Sequence, residues 1–152
     1  MKMLIAVDFS HIGGEVAEYG YKFAQKNGMD AVFIHCAPEA SRFLDGYGAH
    51  AFVIPMNKEE QKMIEDSARK NLHALVQKAM EKCGEPKINV EEQLVVGDPG
   101  EEILDYAKEN GVDLIFAGYK SNSTLQEMLI GSTATKIARY AKCSVFIYRT
   151  AK

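Results

Sequence analysis

Two glycines and a group of hydroxyl residues lie between an apolar run and the last helical stretch of this chain. Gly118 ends the apolar run, Ser121 follows after two residues, and Gly131-Ser132 comes nine residues later. A glycine allows close approach of a ligand to the backbone, and the free N–H groups of Ser132 and Thr133 at a helix start would attract an anion. The spacing suits a phosphate cradle, although Gly-Ser is also an ordinary way to begin a helix.

Other candidate residues follow the remaining predicted strands. Asp8 ends the first strand, Cys36 the second, and Gly97-Asp98 the third. In an open α/β sheet, ligands bind beyond the carboxyl ends of the strands, near the point where the strand order reverses. Asp8 is therefore a candidate ligand contact, or else it only caps the turn that follows it. Cys36 is equally explained as a small buried side chain.

Several kinds of catalytic or metal site are not indicated. No Walker loop, GxGxxG turn or GxSxG nucleophile elbow occurs. The three cysteines and four histidines have no metal-ligand spacing, so we predict no metal site. His35, in a buried strand, is predicted to be a hydrogen-bonded core residue. Lys120 and Lys136 would offset phosphate charge, unless they are simply solvated.

Composition limits the partners further. The chain has 152 residues, 47% hydrophobic residues and a net charge of −3. A nucleic-acid surface would require a basic excess, so we expect none. No apolar run approaches the roughly 20 residues that span a bilayer, and the start of the chain is typical of a strand rather than a signal peptide. The three cysteines are odd in number and far apart in the sequence. This pattern favours a reducing compartment, and we therefore expect the protein in the cytoplasm.

The elements that would position these residues alternate along the chain. Apolar runs predict strands, and apolar residues at helical spacing predict helices. The strands are predicted at 1–9, 30–38, 87–97, 112–118 and 143–150, and the helices at 12–27, 58–83, 100–111 and 132–142. The residues predicted to face the core include Tyr19, Phe23, Phe33, Met63 and Phe116.

This alternation predicts an α/β fold, in which a five-stranded parallel sheet has helices on both faces. We expect residues 1–152 to form one domain. Residues 38–57 break the alternation and are predicted to be a long loop insertion. Such a loop is either a lid or partner surface, or a packed irregular segment.

Over essentially its full length, the chain resembles the universal stress protein family of the single-domain, UspA-like type. The resemblance lies in "MLIAVDFS", "FIHC", "VVGDPGEEIL", "GVDLIFAG" and "SVFIYR". Nucleotide-binding members of that family carry G-x2-G-x9-G-[ST]. Here the motif is Gly118-x2-Ser121-x9-Gly131-Ser132, with the spacing intact and serine in place of the second glycine.

The resemblance implies a Rossmann-like sheet in the order 3-2-1-4-5 and a site that binds ATP or AMP, with Mg²⁺ accompanying the nucleotide. The implied contacts are Asp8, Cys36, Gly118, Ser121, Gly131, Ser132 and Thr133. It also implies a homodimer through the last strand, residues 143–149, and a nucleotide-responsive signalling role with at most slow hydrolysis.

Two alternatives to this role remain. In the first, Ser121 marks a lost site, and the dimer is a nucleotide-free module that binds protein partners. In the second, the protein is a true enzyme, either a small ATPase or a nucleotidyl-type α/β protein, which would need a positioned acid–base pair near Gly131. Only Asp8 and Asp98 are candidates for that pair.

Overall fold

The structure, a computed structural model, describes residues 1–39, 57–84, 88–119 and 130–149. In these ranges five strands alternate with four helices, as the sequence predicts. The strands are β1 (Lys2–Ala6), β2 (Asp30–Ala37), β3 (Val90–Val96), β4 (Leu114–Gly118) and β5 (Ser144–Tyr148). The helices are α1 (His11–Lys26), α2 (Lys58–Cys83), α3 (Pro99–Glu109) and α4 (Ser132–Tyr140). Most of the predicted loop at 38–57 lies outside the described residues.

The five strands form one sheet in the order β3-β2-β1-β4-β5, and every pairing is parallel. This confirms the predicted fold class and strand order. The chain builds the sheet outwards from β1, first through β2 and β3 on one side and then through β4 and β5 on the other. The order therefore reverses between β1 and β4, where an α/β fold of this type places its ligands.

Successive residues of the central strands point to opposite faces, and each face is covered by two helices. Met3, Ile5 and Phe33 pack with α1 and α2. Leu4 and Ile115 pack with α3 and α4. The central strands are thus buried on both sides, which explains their continuous apolar sequence.

Side-chain caps fix the starts of three helices. Ser10 Oγ accepts a hydrogen bond from the Gly13 N–H at 3.1 Å and begins α1. Asn57 and Glu60 form a reciprocal capping box at the start of α2. Asp98 Oδ1 accepts from the Glu101 N–H at 3.1 Å, with Pro99 next to it, and begins α3.

Two of the predicted core residues are exposed, so those predictions were wrong. Tyr19 is 48% exposed and Met63 is 72% exposed. Tyr19 lies on the flank of α1 and stacks on Tyr148 of the edge strand, with the ring centroids 4.8 Å apart. Met63 lies in the second turn of α2, before Ala68, the first buried residue of that helix. Helical spacing identifies the inward side of a helix but not the length over which it is covered.

Candidate functional site

A pocket of about 230 Å³ opens at the carboxyl edge of the sheet, between the ends of β1 and β4. Its walls come from these strand ends, the end of β2 and the first turns of α1, α3 and α4. Six of the seven residues predicted to contact a ligand line it: Asp8, Cys36, Gly118, Gly131, Ser132 and Thr133. The seventh, Ser121, lies outside the described residues, as does Lys120.

Asp8 is half-buried and closes the turn between β1 and α1. Its Oδ1 accepts hydrogen bonds from the backbone N–H of Ser10 at 3.0 Å and from the Ser10 hydroxyl at 2.5 Å. This is the Asx turn that the sequence offered as the simpler explanation. In the described part of the chain Oδ2 has no hydrogen bond, so one oxygen of this pocket-lining carboxylate holds the turn and the other is available to a donor.

Gly13 lets α1 approach the end of β1 closely. A Cβ at this position would overlap the Asp8 carbonyl oxygen and Oδ1. No role for Gly13 follows from the sequence, where it belongs to none of the motifs considered above. A glycine in the first turn of a helix that follows a strand was the available indication of such a close approach.

Gly118 ends β4 on the opposite wall of the pocket, and it too is a point of close packing. A Cβ on Gly118 would lie 2.9 Å from Val16 Cγ2 in α1. The two glycines therefore narrow the distance between α1 and the strand ends, and they leave backbone rather than side chains along this part of the pocket.

The start of α4 differs from that of the other helices because no side chain caps it. Gly131 is the N-cap residue, with φ −55° and ψ 152°. The first helical hydrogen bond runs from the Thr135 N–H to the Gly131 carbonyl at 2.9 Å. The N–H groups of Ser132, Thr133 and Ala134 precede it and have no partner within the helix. These N–H groups give this wall of the pocket a partial positive charge.

His35 lines the pocket near Asp8 and is held from two sides. Its Nδ1 lies 2.9 Å from the Val7 carbonyl oxygen, which only accepts, so Nδ1 carries the proton. Its ring stacks on Phe9 with the centroids 3.9 Å apart. Burial lowers the pKa of His35 and outweighs the hydrogen bond to Val7 and the charge of Asp8, which raise it. The imidazole is therefore neutral at pH 7. It is hydrogen-bonded as predicted, but half-buried.

Cys36 is also half-buried rather than part of the core. Its Sγ lies 3.2 Å from the carbonyl oxygen of Gly97, at the end of the neighbouring strand. The side chain is thus tied to β3, and Cys36 borders the pocket at the end of β2.

Lys136 is engaged in ion pairs between two helices. Its Nζ lies 3.0 Å from Asp98 Oδ1 and 2.8 Å from Glu101 Oε1. The hydrogen bond from Lys136 lowers the pKa of Asp98. Lys136 therefore joins α4 to the first turn of α3 instead of standing free for a phosphate. Asp98, one of the two acids considered for catalysis, is occupied by this contact and by capping α3.

Within the described ranges, two features are absent: a cluster of metal ligands and a membrane-spanning helix. No group of three or more His, Cys, Asp or Glu side chains there could hold a metal ion. No helix in those ranges is both long and apolar enough to cross a bilayer.

Comparison with known proteins identifies the family. The model of the Universal stress protein family matches residues 1–149. The chain belongs to the universal stress protein family. It is 29% identical over 148 residues to Universal stress protein YxiE of Bacillus subtilis, covering 97% of this chain and 98% of that one. It is 30% identical over 154 residues to Universal stress protein Sll1388 of Synechocystis, covering 96% of each chain.

Solved structures share the fold of this universal stress protein. The structure of MJ0577 superimposes with a TM-score of 0.75 at 21% identity, covering 99% of this chain and 96% of that one. A universal stress protein in complex with cAMP gives 0.70 at 18% identity, covering 99% and 98%. A universal stress protein from Arabidopsis thaliana with AMP bound gives 0.59 at 18% identity, covering 99% and 92%.

Proposed function

We propose that this universal stress protein binds an adenine nucleotide, ATP or AMP, in the pocket between β1 and β4. The observation that carries the proposal is the uncapped start of α4, whose N–H groups face a pocket at the point where the strand order reverses. Fold relatives have been solved with cAMP and with AMP, which favours a nucleotide over other anions.

The chemistry of the lining supports a position for each part of the nucleotide. The N–H groups of Ser132 and Thr133 would hold a phosphate, and their hydroxyls could add hydrogen bonds. Gly118 and Gly131 would allow the sugar and phosphates to lie against the backbone. Ser121 belongs to the proposed site by its place in the motif.

The nucleoside would lie toward β1 and β2. Asp8 Oδ2 accepts and cannot donate, so it suits a ribose hydroxyl or an amino group and repels a phosphate. The Cys36 backbone would meet the edge of the adenine, and the apolar side chains of Ile12, Val16 and Ile103 in the lining suit the faces of a base.

Mg²⁺ would enter with the nucleotide. This ion usually keeps several waters and binds through phosphate oxygens and one or two carboxylates, so it needs no preformed cluster of protein ligands. Its role here would be to neutralise the charge of the phosphates.

The nucleotide-bound protein would act as a homodimer in a stress response. β5 is an edge strand of the sheet, its sequence is SVFIY, and Phe146 is 41% exposed. An apolar strand edge of this kind promotes aggregation unless it is paired. Pairing of two β5 strands would cover it, and nucleotide binding would then alter the affinity of the dimer for its partners.

The experiment is isothermal titration of ATP and of AMP, each with and without Mg²⁺. In Gly131→Asp, a carboxylate would take the place of the bound anion. Because Asp is a good N-cap residue, α4 should keep its fold. Ala138→Asp adds the same charge at an exposed position of α4, away from its N-terminus, and is the matched control.

We expect binding in the wild type and in Ala138→Asp, and its loss in Gly131→Asp. If neither nucleotide gives heat or thermal stabilisation at millimolar concentration, the nucleotide function is refuted. The protein would then be better described as a nucleotide-free interaction module, in agreement with the serine at position 121.

A further inference from the structure

Arg149 leaves the sheet at the same edge as the pocket. The parallel register of β4 and β5 pairs Gly118 with Tyr148, and the Tyr119 N–H donates to the Tyr148 carbonyl at 2.7 Å. Arg149 directly follows Tyr148. Arg149 therefore lies beside Tyr119, the residue that follows β4 within the motif Gly118-x2-Ser121-x9-Gly131-Ser132.

Two contacts connect Arg149 to the start of α4. Its Cζ lies 5.2 Å from the centroid of the Tyr119 ring, a cation–π distance. The backbone of the same tyrosine holds Gly131, whose N–H donates to the Tyr119 carbonyl at 2.9 Å. Tyr119 thus positions both the guanidinium and the N-cap residue of the proposed phosphate cradle.

Charge pairing distinguishes Arg149 from Lys136 among the described residues. Lys136, the cation that the sequence suggested for phosphate binding, is bound to Asp98 and Glu101. Arg149 is exposed, and among the described residues no carboxylate pairs with it. Its planar fork of donors suits bidentate binding of a phosphate, and the tyrosine ring restricts its motion without using those donors.

We propose that Arg149 determines the preference of the site for nucleoside di- and triphosphates over monophosphates. This inference rests on the proposed function. The N–H groups of α4 hold the first phosphate of any nucleotide, whereas Arg149 binds the phosphates beyond it. Arg149 is therefore a specificity residue, and Tyr119 is the residue that positions it.

The test compares the affinities of ATP and AMP, with ADP as an intermediate, in Arg149→Gln and Arg149→Lys. Arg139→Gln is the matched control, because Arg139 is also exposed and also lies near a tyrosine ring, 5.9 Å from the centroid of Tyr140. Tyr119→Phe and Tyr119→Leu separate the role of the ring from that of the guanidinium. All titrations are made at one ionic strength.

We expect Arg149→Gln to lower the affinity for ATP about tenfold, which is the effect of losing a charge-assisted hydrogen bond. The affinity for AMP should fall less than about twofold. Arg149→Lys should recover part of the ATP affinity, since it keeps the charge but not the fork. Tyr119→Phe should behave as the wild type, and Tyr119→Leu should lose part of the preference for ATP. Arg139→Gln should change nothing.

Equal weakening of ATP and AMP in Arg149→Gln would show a structural role and overturn the inference. Unchanged affinity for both would overturn it as well, while the nucleotide function would stand. If the wild type binds neither nucleotide, the proposed function itself fails, and the inference fails with it.

Discussion

The close approach of α1 to the end of β1 can be tested with two adjacent glycines of that helix. A Cβ at Gly13 would overlap the Asp8 carbonyl oxygen, whereas a Cβ at Gly14 would meet nothing within 4 Å. Both substitutions to alanine raise helix propensity by about 1 kcal/mol. They differ only in the space available, so Gly14→Ala is an internal control for Gly13→Ala.

The atom that a Gly13 side chain would meet cannot easily move. Asp8 follows Val7, whose N–H donates to the Ile34 carbonyl at 3.0 Å and whose carbonyl is bound by His35. The first turn of α1 must shift instead. Overpacking of this kind costs about 1–3 kcal/mol, and contact with fixed backbone places the cost at the upper end of that range.

We therefore expect Gly13→Ala to lower the free energy of unfolding by about 2 kcal/mol and Gly14→Ala to raise it by about 1 kcal/mol. For a chain of this size, a difference of 3 kcal/mol corresponds to roughly 6–12 °C between the two Tm values. Urea denaturation gives the free energies if the m-values agree. Because Ile12 and Gly13 in the first turn of α1 line the pocket, a shift of that turn should also weaken the proposed nucleotide binding in Gly13→Ala. Equal stability of the two variants would refute the close approach of α1 to β1.

Three further predictions concern a cap, the half-buried His35 and an ion pair. Asn57→Ala removes the capping box of α2 and should lower the free energy of unfolding by about 1 kcal/mol in urea denaturation. Burial lowers the pKa of His35. As the pH falls, the unfolded chain therefore binds a proton at this residue before the folded chain does. Stability should fall as the pH drops below about 6.5, and less steeply in His35→Asn, when the two are compared in urea at pH 7.5 and 5.5. Lys136→Met should let the pKa of Asp98 rise toward its ordinary value, measured by NMR titration of the carboxyl group; an unchanged pKa would contradict the ion pair.

Much of the fold could be predicted because it depends on local patterns. The strands are short apolar runs, and their ends carry residues with clear preferences, such as Ser10 before α1 and Pro99 at the start of α3. The alternation of strands and helices then predicts parallel strands joined by right-handed crossover connections. The strand order itself came from the family resemblance.

The sequence was less informative about contacts between distant elements. Nothing in the spacing of Lys136 and Asp98 shows that a side chain of α4 reaches the cap of α3. The role of Gly13 depends on the distance between a helix and a carbonyl oxygen, which only the assembled fold defines. Tyr19 was misplaced because its exposure depends on where the sheet ends.

The bare start of α4 links ligand binding to local folding. An anion bound there would be the missing cap, so the first turn of α4 would open and exchange its amide protons more readily when the pocket is empty. A ligand present at 100 times its dissociation constant would stabilise the folded first turn of α4 by about 2.7 kcal/mol. Hydrogen exchange at Ser132, Thr133 and Ala134 would then follow the nucleotide concentration. If the proposed nucleotide binds there, this helix terminus would itself report the nucleotide concentration, with no movement of a domain required.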